Sequence, residues 1–431
     1  MCEIERNYGR WGTRKETSIG YEAYKSTVTL ELLSEMEFSE KKYYRLNHIL
    51  LSSIGLWPYD TSRHKQIHTI LSLLIFLSYL TLQFMKVILS ECSLDLLLEV
   101  LAINSIFLMF LAKHISFLFI TENIKQLRNR VRNNWSVLVN DQEIDIMHKY
   151  TNGGKNFTKI FAIFIYFGIF VFTLMQYLPD LLDVIVPLNE SRPSVILHQA
   201  KYFNNQEKYY YILIMHDVIG MFLCATTAIA AESFSLVNAL HAFGMFNVAS
   251  YRMEHMLSIN ISQIRELAKS CDSTIIFCNK IVAAVDIHKR AMQFSDLLQE
   301  SLGLSYLFVV VMAICTAAVS LFRMFRVITM QQEEQELIKL FYYVSVLFIY
   351  LIIGNFVGQE FINHDDQVHR MICNTKWYKA PVKIQKSLLF LLRKTTKTYK
   401  VNAAGLFCPS LEGLARTLSF MVSLLTLLCS I

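Results

Sequence analysis

Seven apolar stretches, each long enough to cross a bilayer, alternate along this chain with loops whose basic residues fall on one side only. The stretches lie near residues 67–89, 94–120, 159–178, 209–236, 302–322, 338–361 and 403–431. About 20 apolar residues suffice to cross a hydrocarbon core about 30 Å thick. The pattern therefore predicts an all-α polytopic membrane protein with seven transmembrane helices.

The composition agrees with this class. Hydrophobic residues make up 54% of the chain and charged residues 18%, whereas a soluble domain carries about 25% charged residues. The nine cysteines are scattered, so they predict neither a disulfide framework nor a metal site, and we expect no cofactor. The net charge of +6 is spread over several loops, so no nucleic-acid partner is expected. No apolar run lies near Met1, so the first span is expected to act as its own insertion signal.

The distribution of Lys and Arg predicts the orientation of the chain. Segments 1–66, 121–158, 237–301 and 362–402 hold 31 of these residues, and the alternate loops hold at most 6. Because basic loops stay in the cytoplasm, we expect a cytoplasmic N-terminus and an extracellular C-terminus. This orientation excludes the seven-helix G-protein-coupled receptors, whose N-terminus is outside. Among the N-x-S/T sequons, only Asn189 falls in a predicted outer loop, so it is the expected glycosylation site.

These spans divide the chain into four parts. We expect a cytoplasmic segment at 1–66, transmembrane helices 1–6 with cytoplasmic extensions at 67–361, a cytoplasmic anchor helix at 362–402, and transmembrane helix 7 at 403–431. The second span contains several ionisable residues that are expected near its ends, where long side chains reach the headgroups. They are Asp95, Glu99, Lys113 and His114.

Two inner segments show the spacing of amphipathic helices that continue below the membrane. The apolar positions of the first are Ile281, Val285, His288 and Met292, and those of the second are Ile384, Leu388 and Leu391. The second segment is basic from Lys383 to Lys400. It either lies on anionic lipid or packs against neighbouring subunits.

Three segments resemble the insect odorant receptor family. The motif GLWP at Gly55–Pro58 precedes the first span, and a stretch that begins GQEFI and ends at Trp377-Tyr378 closes the sixth. The third segment runs from Pro381 to Arg393 and leads into a seventh span with an A-G-x-F…S-L-E…T-L-L pattern. One departure is that the end of this span reads FMVSLL, so Ser423 keeps its hydroxyl while Leu424 stands where Tyr is usual in the family.

The resemblance implies a ligand-gated cation channel that assembles with the family's shared co-receptor as a tetramer around a pore lined by the seventh span. The loop between spans four and five has about 65 residues and lacks the enlargement found in the co-receptor. The chain therefore resembles an odour-tuned subunit. The implied partners are the odorant receptor co-receptor, small volatile odorants and membrane lipid. The implied location is the plasma membrane of olfactory sensory neuron dendrites.

A volatile ligand is small and mostly apolar, so its pocket should be apolar and aromatic with few polar groups. The outer halves of spans two, three, four and six supply such residues, and the family places its odour site there. The candidates are Asn104, Phe107, Phe172, Met175, Gln176, Tyr211, Met215, His216, Tyr342, Tyr343 and Ser345. The alternative for the aromatic and methionine residues is helix packing, and for His216 a hydrogen bond to another helix.

The seventh span is the pore candidate, because polar residues interrupt it more than the other spans. Glu412 and Arg416 are spaced i,i+4 and can neutralise one another. They form either a structural pair near the inner water boundary or a charged lining of the inner vestibule, and Ser423 adds a hydroxyl further along. By position, Leu427 and Ile431 match the family's outer hydrophobic gate, which closes by dewetting; the alternative is that they face lipid or a core.

The sequence motifs do not indicate an enzyme. The segment from His364 to His369 resembles one histidine box of a membrane di-iron enzyme, but that chemistry needs several such boxes. An insect gustatory receptor is the first alternative function, although its usual T-Y-h-h-h-x-Q-F ending is missing. A membrane carrier is the second, although carriers usually show internal repeats and broken helices.

Overall fold

The computed structural model describes residues 43–60, 62–89, 94–138, 140–185, 206–256, 271–329 and 334–430. Within these ranges the chain is helical, with one 3-10 turn at Trp377–Lys379 and an isolated bridge between Ala403 and Phe407. The helices are α1 Arg45–Ser53, α2 Arg63–Leu89, α3 Leu94–Phe119, α4 Thr121–Trp135, α5 Asp141–Ile185, α6 Gln206–His255, α7 Cys271–Thr329, α8 Glu334–Asn374, α9 Val382–Thr395 and α10 Leu411–Ser430.

Seven of these helices, α2, α3, α5, α6, α7, α8 and α10, are long and apolar enough to cross a membrane. This confirms the all-α fold with seven spans. Four of them, α5 to α8, have 41 to 59 residues. A helix rises about 1.5 Å per residue, so each is about 60 to 90 Å long and extends well beyond a bilayer core.

Helix α6 is the centre of the bundle, because it packs against α1, α2, α3, α5, α7 and α8. Small side chains allow this close approach, as is usual where helices meet in a membrane. The alanines buried along α6 are Ala228, Ala230, Ala231, Ala239, Ala242 and Ala249. By contrast, α5 covers one side of α6 and exposes a row of large apolar residues, among them Ile163, Phe167 and Phe170, as a helix facing lipid does.

The main hydrophobic core lies at one end of the bundle, which we call the anchor region. It comprises α4, α9 and the adjoining parts of the long helices at 141–157, 237–256, 277–301 and 361–374. The side chains that this core buries completely include Ile124, Met147, Phe246 and Phe294. The two predicted amphipathic segments both lie here, and both are helical.

The apolar stripe of α9 is buried within the chain itself. Ile384, Leu388 and Leu391 are almost fully buried, and the helix packs against α8 and α7. The stripe is therefore not available to lipid or to a neighbouring subunit. The outer face of α9 remains exposed for such contacts, and it carries basic residues together with Val382 and Leu389.

The expected anchor helix at 362–402 is two helices. Helix α8 continues to Asn374, the 3-10 turn follows, and α9 begins only at Val382. The break falls at Pro381, because a proline disfavours helical backbone in the residue before it and is tolerated at a helix start. The Gln385 side-chain amide closes the turn by donating to the carbonyl oxygens of Tyr378 (2.8 Å) and Ala380 (2.9 Å).

The seventh membrane helix begins at Leu411, later than the expected residue 403. Ala404 and Gly405 have φ angles of 51° and 77°, in the left-handed region that interrupts a right-handed helix. The Ser410 side chain then caps α10, because its Oγ accepts the backbone N–H of Gly413 at 3.0 Å.

The expectation that Lys113 and His114 reach the headgroups is wrong. Both side chains are buried in the bundle, and Lys113 forms an ion pair with Glu232 of α6. The sequence of the second span shows its own polar residues but not their partners on another helix, which is why the expectation failed. The side chains of Asp95 and Glu99 lie outside the described part of the structure.

The GLWP segment joins α1 to the anchor region. The Trp57 ring lies 4.9 Å from the Arg128 guanidinium of α4, within range of a cation–π contact. Burial and the neighbouring Arg132 lower the pKa of Arg128 to about 10, so the guanidinium stays charged at neutral pH. Gly55 makes the turn before Trp57, with a φ of 74°.

Replacing Gly55 by Ala should destabilise the protein by about 1–3 kcal/mol, because φ is left-handed and the added Cβ has no space. An ideal Cβ there would lie 2.4 Å from Thr69 Oγ1 and 2.8 Å from the Lys65 carbonyl oxygen. The measurement is the thermal unfolding midpoint in detergent. Gly153→Ala is the matched control, because that helical glycine has open space around it; equal loss in both variants would contradict the prediction.

Candidate ligand site and pore helix

An aromatic cluster joins α2, α3 and α6 in the half of the bundle remote from the anchor region, here called the distal half. The rings of Tyr79 and Phe107 are stacked with centroids 3.7 Å apart, and the His216 ring lies parallel to Tyr79 at 6.3 Å. Ser78 Oγ and His216 Nε2 are 3.0 Å apart and share a hydrogen bond. The structure thus brings two of the predicted ligand residues, Phe107 and His216, next to Tyr79.

Tyr79 is the residue that sequence inspection missed in this cluster. Its ring lies directly on the backbone of α6, because a Cβ added at Gly220 would be 2.8 Å from the ring. One aromatic side chain in an apolar span has no distinguishing pattern of its own. The glycine that accepts it lies more than a hundred residues away.

Asn104 is the most unusual polar residue of the distal half. It lies one turn before Phe107 on the same face of α3, and its side chain is 1% exposed. Among the described residues, neither amide atom of Asn104 has a hydrogen-bond partner. The neighbouring Ser105, in contrast, accepts a hydrogen bond from Thr316 Oγ1 of α7 at 2.6 Å. A buried amide without a partner is costly, and this distinguishes Asn104 from the neighbouring Ser105 of α3.

The other predicted ligand residues lie elsewhere. Tyr211, Met215 and Tyr342 are largely exposed on the surface of the chain, and Tyr343 and Ser345 are half-buried. Four further predicted positions have side chains or whole residues outside the described part of the structure. These are Phe172, Met175 and Gln176, of which only the helical backbone is described, and the glycosylation candidate Asn189.

A buried ion pair joins three helices between the aromatic cluster and the anchor region. Lys113 of α3 pairs with Glu232 of α6, and the Tyr350 hydroxyl of α8 donates to Glu232 Oε1 at 3.1 Å. The Lys113 ammonium also lies 5.9 Å from the centroid of the Tyr350 ring. Sequence inspection did not single out Glu232 or Tyr350, although an acidic residue inside an apolar span signals a functional or paired group.

Helix α10 packs against α7 and α8 through one face only. Gly413, Thr417 and Met421 are buried on that face. A second face, turned well away from the first, carries polar residues at spacings of four, three, four and three, and all of them are exposed. This polar stripe consists of Glu412, Arg416, Ser419, Ser423 and Thr426.

The predicted i,i+4 pair on the polar stripe is formed. Arg416 Nη2 lies 2.5 Å from Glu412 Oε1, while the two side chains remain 78% and 71% exposed. Leu427 is exposed near the end of the same helix, and Ile431 lies outside the described residues. The described part of the chain therefore covers neither the charged end of the stripe nor Leu427.

The histidines around residue 364 are engaged in helix packing. His364 Nε2 shares a hydrogen bond with the Tyr150 hydroxyl at 2.8 Å, and His369 Nδ1 with Thr395 Oγ1 at 2.8 Å. In the described part of the chain, no group of three or more His, Cys, Asp or Glu residues is arranged to hold a metal ion.

The family model described as 7tm Odorant receptor matches residues 93–422, well over half of the chain. This chain belongs to the odorant receptor family. With its seven apolar helices, it is a multi-pass membrane protein. A comparison with curated protein sequences finds no match.

Solved structures of an insect receptor share this odorant receptor's fold. The olfactory receptor OR5 from Machilis hrabei in complex with eugenol is 13% identical, with a TM-score of 0.69 over 92% of this chain and 99% of that one. A second structure of the same receptor gives 13% identity and a TM-score of 0.69 over 91% and 99% of the two chains. At this level of identity the likeness shows the fold alone.

Replacing Asn104 of this odorant receptor by Leu should raise the thermal unfolding midpoint in detergent, because the change removes a buried amide that lacks a hydrogen bond in the described structure. A buried unsatisfied polar group costs about 1–3 kcal/mol. Asn355→Leu is the matched control and should lower the midpoint, because Asn355 donates to the Leu351 carbonyl (2.9 Å) and accepts the Ser410 N–H (3.2 Å). A loss of stability on replacing Asn104 would contradict the prediction.

Proposed function

We propose that this chain is the odour-tuned subunit of a ligand-gated, non-selective cation channel formed with the odorant receptor co-receptor. The observation that carries the proposal is the polar stripe of α10. A membrane helix presents an ion pair and three hydroxyl groups on a face that the described residues of its own chain leave exposed.

Water is the environment that suits this face. Ionisable residues within membrane helices nearly always face a bundle interior or a water-filled cavity, because exposure to hydrocarbon is costly. The buried face of α10 is the one turned towards α7 and α8, so the stripe faces away from its own bundle. A water-filled pore shared between subunits would keep the side chains of the polar stripe in contact with water.

Several subunits are needed to enclose such a pore, since each contributes a single α10. A closed ring is the usual way in which equivalent surfaces assemble, and the family resemblance favours a tetramer. Glu412 and Arg416 would line the inner vestibule, with Ser423 further along. Leu427 and Ile431 would form the outer constriction, where apolar side chains close a pore by dewetting.

The ligand would bind in the distal half, which the proposed orientation places on the extracellular side. Tyr79, Phe107 and His216 form an aromatic wall there, and Asn104 offers both a donor and an acceptor. The solved OR5 structure of the same fold is in complex with eugenol, a small aromatic molecule, which supports a small volatile ligand for this chain. Such a ligand opens the pore only through a higher affinity for the open arrangement.

The orientation and location remain part of the proposal. The N-terminus would lie in the cytoplasm with the anchor region, and the C-terminus would emerge outside. The exposed basic face of α9 would then meet either anionic lipid or neighbouring subunits. The receptor would act at the plasma membrane of olfactory sensory neuron dendrites.

Expression of this chain together with the co-receptor should give odour-evoked cation currents, because the tuned subunit supplies the ligand site and both subunits supply the pore. The measurement is whole-cell current during application of a panel of volatiles. Cells that express the co-receptor alone are the control, and the receptor's surface density is measured in parallel by antibody labelling.

Two results would count against the proposal. If this chain alone gave currents as large as those recorded with the co-receptor, its assignment as a tuned subunit of a mixed channel would be wrong. No current to any volatile, with both proteins at the cell surface, would remove the channel function.

A further inference from the structure

The Lys113–Glu232 pair lies within the bundle, next to residues such as Phe117 and Phe234 of the main hydrophobic core. Lys113 is six residues before the end of α3, about 9 Å along the helix axis. The Lys113 side chain is 5% exposed and that of Glu232 is 22% exposed, so water screens the pair only from the glutamate side. The attraction between two such charges depends strongly on their separation, because the surrounding dielectric constant is low.

Tyr350 connects this pair to α8. Its hydroxyl donates to the same Glu232 oxygen that Lys113 contacts, and the Lys113 ammonium lies over its ring. One turn further along α8, Gly354 lies against Tyr306 of α7, where an added Cβ would be 2.5 Å from the Tyr306 hydroxyl oxygen. The position of α8 is therefore set against α3, α6 and α7 at this level.

The next turns of α8 form hydrogen bonds with the first residues of α10. Asn355 Oδ1 accepts the Ser410 N–H at 3.2 Å, and Gln359 Oε1 accepts the Leu411 N–H at 3.3 Å. Gly358 lies in backbone contact with the residue before them, since an added Cβ would be 2.2 Å from the Pro409 carbonyl oxygen. Direct hydrogen bonds therefore tie α10 to the part of α8 that follows Tyr350.

We propose that the Lys113–Glu232 pair and Tyr350 couple the bundle to the pore helix, so that they set the equilibrium between closed and open channel. This inference rests on the proposed channel function. The connection runs through nine residues of one helix, from Tyr350 to Gln359, a distance of about 14 Å along its axis. A helix transmits such a displacement as a rigid element.

The chemistry of the pair explains why it suits this role better than apolar packing would. An apolar contact between three helices tolerates small shifts, whereas a buried ion pair with a shared hydrogen bond loses much of its energy when its partners separate. The pair therefore favours one discrete arrangement of α3, α6 and α8. Any ligand-driven movement of α8 changes the free energy of the pair. The same movement shifts the first residues of α10, because they are bonded to α8.

The test is a charge-exchange series in the receptor expressed with its co-receptor. Glu232→Gln and Lys113→Met should each change the odour concentration for half-maximal current, or the resting current, by about 5- to 150-fold, the usual range of coupling between sites. The double variant Lys113→Glu with Glu232→Lys should return both values towards wild type. Tyr350→Phe should produce a smaller change in the same direction, because it removes one hydrogen bond and keeps the ion pair.

Glu122→Gln is the matched control. Glu122 pairs with Lys125 on the exposed surface of α4 at 3.2 Å, so the same chemical change should leave the currents as in wild type. All currents are normalised to receptor at the cell surface. If a single variant fails to reach the surface, the exchanged pair and Tyr350→Phe still test the coupling.

The coupling would be overturned if the variants at the surface kept wild-type currents, or if the exchanged pair showed merely the product of the effects of Lys113→Glu and Glu232→Lys made singly. The second result would mean that the charges act as independent packing elements. A silent wild-type receptor would be a different failure, because it removes the proposed channel function and the coupling with it.

Discussion

A charged side chain within a membrane needs an opposite charge or water, and this requirement organises the membrane half of the molecule. Lys113 and Glu232 meet it by pairing inside the bundle, where they hold α3 and α6 together. Glu412 and Arg416 also pair, but they remain exposed on α10. The first pair is a constraint on the fold, and the second, exposed on α10, suits the water-filled pore proposed here.

The two halves of the molecule are held together by different forces. In the anchor region, burial of large apolar side chains such as Phe246 and Phe294 produces an extended core, as the hydrophobic effect does wherever water is the alternative. Among membrane helices lipid is as apolar as the side chains, so close approach and polar contacts decide the packing. The bundle thus combines a well-packed anchor region with membrane helices whose positions depend on a few polar contacts.

This division suits a channel whose pore helix must move. Helix α10 is held at its first turn by Asn355 and Gln359, and its remaining contacts lie along one face with α7 and α8. Segments with few buried contacts are those that open most easily. In the proposed coupling, a displacement of α8 reaches α10 through Asn355 and Gln359.

Much of this architecture was predictable from the sequence, because it depends on local patterns. The seven spans follow from runs of apolar residues, and the amphipathic helix α9 from its helical spacing, although that spacing did not show that the apolar stripe is buried within the same chain. The start of α10 was placed too early because hydrophobicity alone does not show that Ala404 and Gly405 adopt left-handed backbone. The pairing of Lys113 with Glu232 and the stacking of Tyr79 on Phe107 were missed, since each depends on a partner in a different helix.

The most direct measurement of the pore is the reactivity of single cysteines along α10 towards a charged, water-soluble thiol reagent during odour application. Cysteine at Ser419 or Ser423, with the exposed Cys429 replaced by Ser, should react and alter the current. Cysteine at Thr417 or Met421, which face α7 and α8, should not. Equal reactivity on both faces, or none on the polar stripe while the channel conducts, would contradict a pore lined by this helix.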